Sequence, residues 1–194
     1  MRVITGTARG RRLKELPGLE TRPTTDKVKE SMFNIIQFDI EGRTVLDLFS
    51  GTGQLGIEAL SRGAERCTFV DLRKDAVAVI RENLAHCRME ERATVIQGDS
   101  LAFLSGCRER FDLVFLDPPY HHGTAVEALT LLLERGLLSG RAIAVCEVDG
   151  AETLPAEVGG LFLDKLKRYR FTAVGIYRKR EESPIEDSSS SGQL

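Results

Sequence analysis

Residues 45–57 read Val45-Leu46-Asp47-Leu48-Phe49-Ser50-Gly51-Thr52-Gly53-Gln54-Leu55-Gly56-Ile57, and the fold of the chain follows from what this stretch can be. Val45, Leu46 and Leu48 make a continuous apolar run of the kind that a strand buried on both faces requires. A polar, glycine-rich turn comes next, and from Ile57 and Leu60 onward the apolar positions recur at helical spacing. The unit is strand, loop, helix. Gly51, Gly53 and Gly56 match G-x-G-x-x-G, in which a missing Cβ lets backbone approach a ligand, permits positive φ and lets the helix pack close on the strand. By itself this pattern also fits a purely structural turn.

Asp47 sharpens the reading. A carboxylate at the strand end just before the glycines repels a pyrophosphate and attracts a ligand carrying an ammonium group. An acidic strand end followed by Gly-x-Gly resembles the first motif of S-adenosylmethionine-dependent methyltransferases, whose ligand has an amino-acid tail and no phosphate. On that resemblance the loop of Phe49, Ser50, Gly51, Gly53 and Gly56 wraps the donor.

The chain has 194 residues, 42% of them hydrophobic, enough for one substantial core and little beyond it. A net charge of -2 excludes a surface coated in positive charge, so nucleic-acid binding must come from local patches. Cys67, Cys87, Cys107 and Cys146 are far apart, with no C-x-x-C pair and no adjacent histidine, and read as small buried hydrophobes in a reducing cytosol. No apolar run nears the roughly 20 residues of a membrane span, and the start has no signal-peptide core. A cytoplasmic protein with no membrane partner and no metal is expected.

Ahead of the central stretch, Arg2-Val-Ile-Thr5 and Arg12-Leu-Lys-Glu-Leu16 are short alternating runs around Gly6-Thr-Ala-Arg-Gly10, which predicts a hairpin or arm over residues 1–20. Arg2, Arg9, Arg11, Arg12 and Lys14 give it a basic face suited to a phosphate backbone, or to a solvated strand edge. Pro23 then ends an extended segment, and Val28, Met32, Ile35 and Ile36 predict a helix from about residue 25 to residue 38. Its start, Arg22-Pro-Thr24-Thr25, offers free N–H groups and two hydroxyls to a carboxylate such as a methionine tail.

Beyond the loop, residues 64–71 form a second strand ending in Asp71, placed where an adjacent parallel strand presents a carboxylate to a ribose diol, with Leu72 beside it. Residues 75–87 are helical and residues 93–97 make a third strand. Asp99 follows as an acceptor for an adenine amine, or as a turn acid or N-cap, and Ser100 as the cap of the next helix. The fourth strand, residues 111–117, runs into Pro118-Pro119-Tyr120. Where strand order reverses beside the first strand, this turn faces the glycine loop. Two prolines remove two N–H donors. The Asp117 carboxylate and the Pro118 carbonyl are left as an acceptor-only corner, which suits an amine, and Tyr120 is placed to stack on an extruded base. His121 and His122 read as rim residues rather than a metal pair. A helix over 125–138, a strand over 141–147 and a hairpin over 161–178 complete the domain at residues 21–180. From Lys165 to Arg180 the chain carries Lys165, Lys167, Arg168, Arg170, Arg178, Lys179 and Arg180 with no acid, a second RNA-facing surface or a charged sheet edge. Residues 181–194 read as a polar acidic, Ser-rich disordered tail.

Three segments, Arg22-Pro-Thr-Thr-Asp-Lys-Val-Lys-Glu-Ser-Met-Phe-Asn34, residues 47–64 with Glu58-Ala-Leu-Ser-Arg-Gly-Ala64, and Asp117-Pro-Pro-Tyr120, together resemble the bacterial 16S rRNA (guanine(966)-N(2))-methyltransferase family. The likeness runs from about Arg2 to Lys179; Arg170 and the acidic tail depart from it. It implies an α/β, Rossmann-like class I methyltransferase: a mostly parallel seven-stranded sheet, helices on both faces and a small N-terminal β-hairpin arm. It also implies S-adenosyl-L-methionine as donor (product S-adenosyl-L-homocysteine) and a guanine amine of 16S rRNA, within the small ribosomal subunit or its assembly intermediate, as acceptor. Asp117, Pro118, Pro119 and Tyr120 are the catalytic candidates. Arg2, Arg9, Arg11, Arg12, Lys14, Arg168 and Arg170 are the RNA-binding candidates, and a monomer is expected. A DNA or other RNA amino-methyltransferase and a non-catalytic assembly factor with the same pocket are the competing readings.

Overall fold

The structure, a computed structural model, describes residues 1–16, 25–119 and 123–179. The buried run after Arg43 forms β1 (Thr44–Leu48), every residue of which is buried. It is followed by α2 (Gln54–Ser61), β2 (Arg66–Asp71), α3 (Lys74–Cys87), a 3-10 turn (Glu90–Arg92) and β3 (Ala93–Gln97), with α1 (Asp26–Ile35) preceding it. Then come α4 (Ser100–Gly106), β4 (Phe111–Leu116), α5 (Thr124–Glu134), β5 (Leu138–Asp149), β6 (Glu157–Val158), β7 (Leu161–Arg168) and β8 (Thr172–Lys179).

One sheet runs in the order β3-β2-β1-β4-β5-β8-β7-β6. The first five strands are mutually parallel, and β8, β7 and β6 join antiparallel. The order reverses between β1 and β4, the crevice where ligands of such sheets bind. Alternate residues of the buried strands feed two cores. Val45, Phe69, Phe115 and Val145 pack with Met32, Phe33, Ile57, Leu60 and Ile80 of α1 to α3. Leu46, Val70, Val114 and Cys146 pack with Leu104, Leu129 and Leu132 of α4 and α5. Helices therefore cover both faces, as expected.

The sheet has eight strands rather than seven. The eighth, β6, is two residues long and lies at the edge beyond β7, too short to leave an alternating pattern. The N-terminal segment is also not a two-stranded hairpin in the described residues. It closes on itself through one antiparallel bridge, Arg2 to Arg12, with Val3 N–H donating to Arg11 O at 3.0 Å. Between its basic residues it hides Val3, Ala8 and Leu13, which join the core under α1 and α2. Helix α1 stops at Ile35, short of residue 38, and leaves Phe38 93% exposed. Strand β5 begins at Leu138, inside the stretch read as helix. None of the described helices is long and apolar enough to cross a membrane. Residues 17–24, 120–122 and 180–194, which carry Arg22, Thr24, Tyr120, His121, His122 and the tail, lie outside the described residues.

Candidate active site

The loop between β1 and α2 is held by its own polar atoms. Ser50 Oγ donates to Asp47 O at 2.5 Å and accepts from Val70 N at 3.0 Å, tying the loop to β2. Phe49 adopts φ 59°, a region that side chains enter at a penalty of about 1–2 kcal/mol. Gly51 at φ 57° has nothing within 4 Å of where a Cβ would stand, so open space lies over it. Gly56 is needed for the opposite reason: a Cβ there would come 2.3 Å from the Phe69 ring and 2.7 Å from Cys67 Sγ. The first glycine faces a void; the last lets α2 lie against β2.

That void is a cavity of about 500 Å³ across the carboxyl ends of β1 to β5. Asp47, Phe49, Ser50 and Gly51 line it from the loop, Asp71 and Leu72 from β2, Asp99 and Ser100 from the turn after β3, and Asp117, Pro118 and Pro119 from the end of β4. The proline corner and the glycine loop thus share one cavity, the spatial condition on which the amine-holding corner depends. Leu72 stands 65% exposed there, apolar surface left free. Gln54 Oε1 is buried with no hydrogen-bond partner among the described residues.

The predicted residues play unequal parts. Asp71 Oδ2 accepts from Gly51 N at 2.8 Å and Oδ1 from Arg73 N at 2.9 Å, so it orders the loop and retains lone pairs toward the cavity. Asp99, not Ser100, caps α4, accepting from Ala102 N at 2.8 Å; Ser100 is the first helical residue and is buried. A carboxylate accepts from the free N–H groups of a first turn without the competing donor of a hydroxyl, and here Asp99 is the residue with extended backbone. Thr25 caps α1, accepting from Val28 N at 3.3 Å, and does not line the cavity.

Negative charge dominates. Among the described residues, Asp47, Asp71, Asp99, Asp117, Glu147, Asp149, Glu152 and Glu15 border the cavity, against the guanidinium of Arg73 and the terminal ammonium of Met1. Asp47 is 1% exposed and accepts from Gly56 N at 2.9 Å. Burial outweighs that hydrogen bond and, with the nearby Asp71 charge, lifts its carboxyl from 3.8 to about 8. Burial, then the charges of Glu147 and Asp47, push Asp117 well above the usual carboxylate range. A ligand bearing positive charge relieves both.

Sequence reasoning missed two walls. Met1, Glu15 and Leu16 bring the N-terminal arm to the cavity. Asn83 of α3 holds the arm there, accepting from Lys14 N at 2.7 Å and donating to Lys14 O at 3.1 Å and to Thr52 O at 3.0 Å. Opposite, Glu147, Val148 and Asp149 at the end of β5 form the other wall. A helix asparagine facing inward and acids closing an apolar strand were the only signals available.

Among the basic candidates, Arg9 and Arg12 are exposed, and their side chains make no ion pair or hydrogen bond among the described residues. Arg2 pairs with Asp26 at 3.3 Å, Arg11 donates to His86 O, and Lys14 pairs with Glu82 at 2.5 Å. Arg168 donates to Gly150 O at 2.8 Å, and Arg170 lies 4.8 Å over the Phe171 ring. Arg178, from the same basic run, is committed to Asp39 and Asp164 at 3.0 and 3.1 Å.

A sheet reversing at β1/β4, a donor loop with an acid before it and an Asp-Pro-Pro corner across the same cavity define a class I methyltransferase. A family model described as "Conserved hypothetical protein 95" matches residues 1–178. The chain is 44% identical over 183 residues to "Putative rRNA methyltransferase YlbH" of Bacillus subtilis, covering 93% of this chain and 100% of that protein. It is 33% identical over 184 residues to "Ribosomal RNA small subunit methyltransferase D" of Escherichia coli K12, covering 94% and 91%. The solved structure titled "Putative methyltransferase yhhF from Escherichia coli" superposes with a TM-score of 0.85 at 32% identity, covering 94% of this chain and 99% of that one. The chain belongs to this family, that of the small-subunit rRNA methyltransferases D.

Proposed function

We propose that this protein transfers a methyl group from S-adenosyl-L-methionine to the exocyclic N2 amine of a guanine in 16S rRNA, guanine 966 on the family resemblance. The observation that carries the reading is the acceptor-only corner, Asp117 followed by two prolines, sharing one cavity with the Gly51 loop. The names of the relatives agree with an rRNA substrate.

The cavity fits the donor. Acidic walls attract its ammonium and sulfonium charges, Gly51 leaves room for backbone contact, Asp71 has lone pairs for a ribose diol, and Leu72 offers apolar surface to a purine. When bound, S-adenosyl-L-methionine supplies an electrophilic methyl group.

The rest is done by the chain. An exocyclic amine is a poor nucleophile because its lone pair is delocalised into the ring. Asp117 and the Pro118 carbonyl, accepting its two hydrogens, favour the pyramidal nitrogen and fix the direction of its lone pair. Tyr120 stacks the extruded base. The exposed Arg9 and Arg12 on the arm grip phosphates outside the acidic cavity, which by itself would repel the RNA. The protein is proposed to act as a cytoplasmic monomer on the subunit or its assembly intermediate.

The test is Asp117→Ala with labelled donor on undermethylated small subunits. Turnover falls about 10³-fold while donor binding persists. Undiminished turnover would overturn the assignment, and mapping lost methyl groups in 16S rRNA from a deletion strain fixes the nucleotide.

A further inference from the structure

Strands β4 and β5 are parallel and in register, with Leu116 opposite Cys146. The residues that follow are Asp117, just past the end of β4, and Glu147, within β5. Phe115 and Val145 point into one core and Leu116 and Cys146 into the other. Alternation then sends Asp117 and Glu147 to the same face, which is also that of Asp47. Both line the cavity, and Glu147 is only 8% exposed. Among neighbouring charges, that of Glu147 acts most strongly on Asp117. Neighbouring strands stand about 4.8 Å apart, so two carboxyl groups in register can each take one of two adjacent N–H groups on a planar base.

Guanine presents such a pair: the N2 amine beside N1–H. Adenine presents its amine beside an N1 lone pair, which a carboxylate repels, because an ionised carboxyl has acceptors and no donor. We propose that Glu147 accepts the N1–H of the base whose amine Asp117 holds, and so selects guanine. The inference rests on the methyl-transfer reading above and deepens it: Asp117 positions the reacting nitrogen, and Glu147 decides which base can bring one. Reading an extruded base along its Watson–Crick edge is the general way such pockets discriminate. A site built to bond an N–H rejects the analogue lacking it, by far more than a missing methyl group would allow.

The experiment compares small subunits carrying guanine or 2-aminopurine at the target nucleotide. The analogue keeps the N2 amine, replaces N1–H with a lone pair and lacks O6, a loss common to the wild-type protein and the Glu147 variants, so the change in ratio on substitution reports N1. The wild-type protein is expected to prefer guanine by roughly 10⁴-fold in kcat/KM. Glu147→Gln keeps the shape, and its amide can either accept from N1–H or donate to the lone pair. The preference then drops to within a few-fold, with donor binding retained. Glu147→Asp keeps the carboxylate and the preference. A purely structural role for Glu147 would lower both activities together and leave their ratio in place. Transfer to guanine with an unchanged ratio in Glu147→Gln overturns the assignment of Glu147 alone. No transfer to guanine by the wild-type protein overturns the parent reading, and this one with it.

Discussion

Two groups of buried charge stand about one helix apart and are treated in opposite ways. Beneath the arm, Glu58 is fully buried, with Oε1 accepting from Thr5 N at 3.0 Å and Arg62 Nε at 2.8 Å, and Oε2 accepting from Ile4 N at 2.8 Å. Lys29, also fully buried, lies 3.7 Å from Glu58 and donates to Arg2 O at 2.6 Å. Burial lowers the Lys29 ammonium while the Glu58 charge works against that shift. Arg62 also lies 4.7 Å over the Phe33 ring. Every partner of this cluster is protein. In the cavity, carboxyl groups crowd one another, and Asp117 accepts no hydrogen bond among the described residues. Satisfied charge marks architecture; the Asp117 carboxyl, left without a donor among the described residues, marks a place for a ligand.

The sharpest way to break that contrast is Glu58→Ala. It strands Lys29 in the interior and releases the arm, at about 3–5 kcal/mol. A melting temperature lower by roughly 10 °C is expected in calorimetry. Asp117→Asn should do the reverse: a melting temperature unchanged or slightly higher, since a crowded carboxyl is neutralised, with turnover down about 10²-fold or more.

Asp47 gives a pH signature. Its folded carboxyl, at about 8, holds the proton more tightly than the unfolded chain does, at 3.8. The stability it contributes is complete below pH 3.8, declines as pH rises and is gone above about 8. Thermal scans across that window should fall, and Asp47→Asn should flatten the fall. Donor affinity has the opposite slope, rising toward pH 8 as the carboxylate ionises, with a proton released on binding.

Gly51→Ala meets no atom and carries only the strain of φ 57°, about 1–2 kcal/mol, so the fold survives. Isothermal titration should nevertheless show weaker donor binding, because the new methyl group enters the cavity. The smallest effect is at the rim. Exchanging Arg9 and Arg12 for Glu should leave donor affinity and melting temperature alone. Association with small subunits should weaken about tenfold at low salt, and the difference should fade as salt rises.

The same contrast explains what the sequence could disclose. The central strand, the glycine loop, α3 and β3 were legible because their signals are local: an apolar run, a turn, a period. Asp47, Asp71 and Asp117 were legible because each ends a strand, and parallel strands bring such ends together. The Lys29–Glu58 pair was not, since two helix positions 29 residues apart look like ordinary surface charges until packing joins them. Glu58-Ala-Leu-Ser-Arg in the family pattern turns out to be the arm's clamp, where Ser61 Oγ donates to Thr5 O at 2.6 Å and accepts from Ala8 N at 3.0 Å. Gly6 is bound to the same clamp, as a Cβ would lie 1.7 Å from Ser61 O. The alternation of Arg with Val3 and Leu13 disclosed a basic face, but not that the apolar face docks on α1 and α2, because composition reports charge and not which partner lies beneath it. Glu147 closes the strand read over 141–147 and Asp149-Gly150 follows as a turn signal, yet no motif tied that strand end to the cavity.

The arm's anchoring at Glu58, Ser61 and Asn83 has a consequence for biogenesis. Residues 1–16 leave a translating machine ahead of their docking partners, which lie 53 to 69 residues further along the chain. Until then this short basic segment has nothing to fold against, and the donor pocket lacks a side. Closure of that side of the cavity is thereby postponed until α3 has been made.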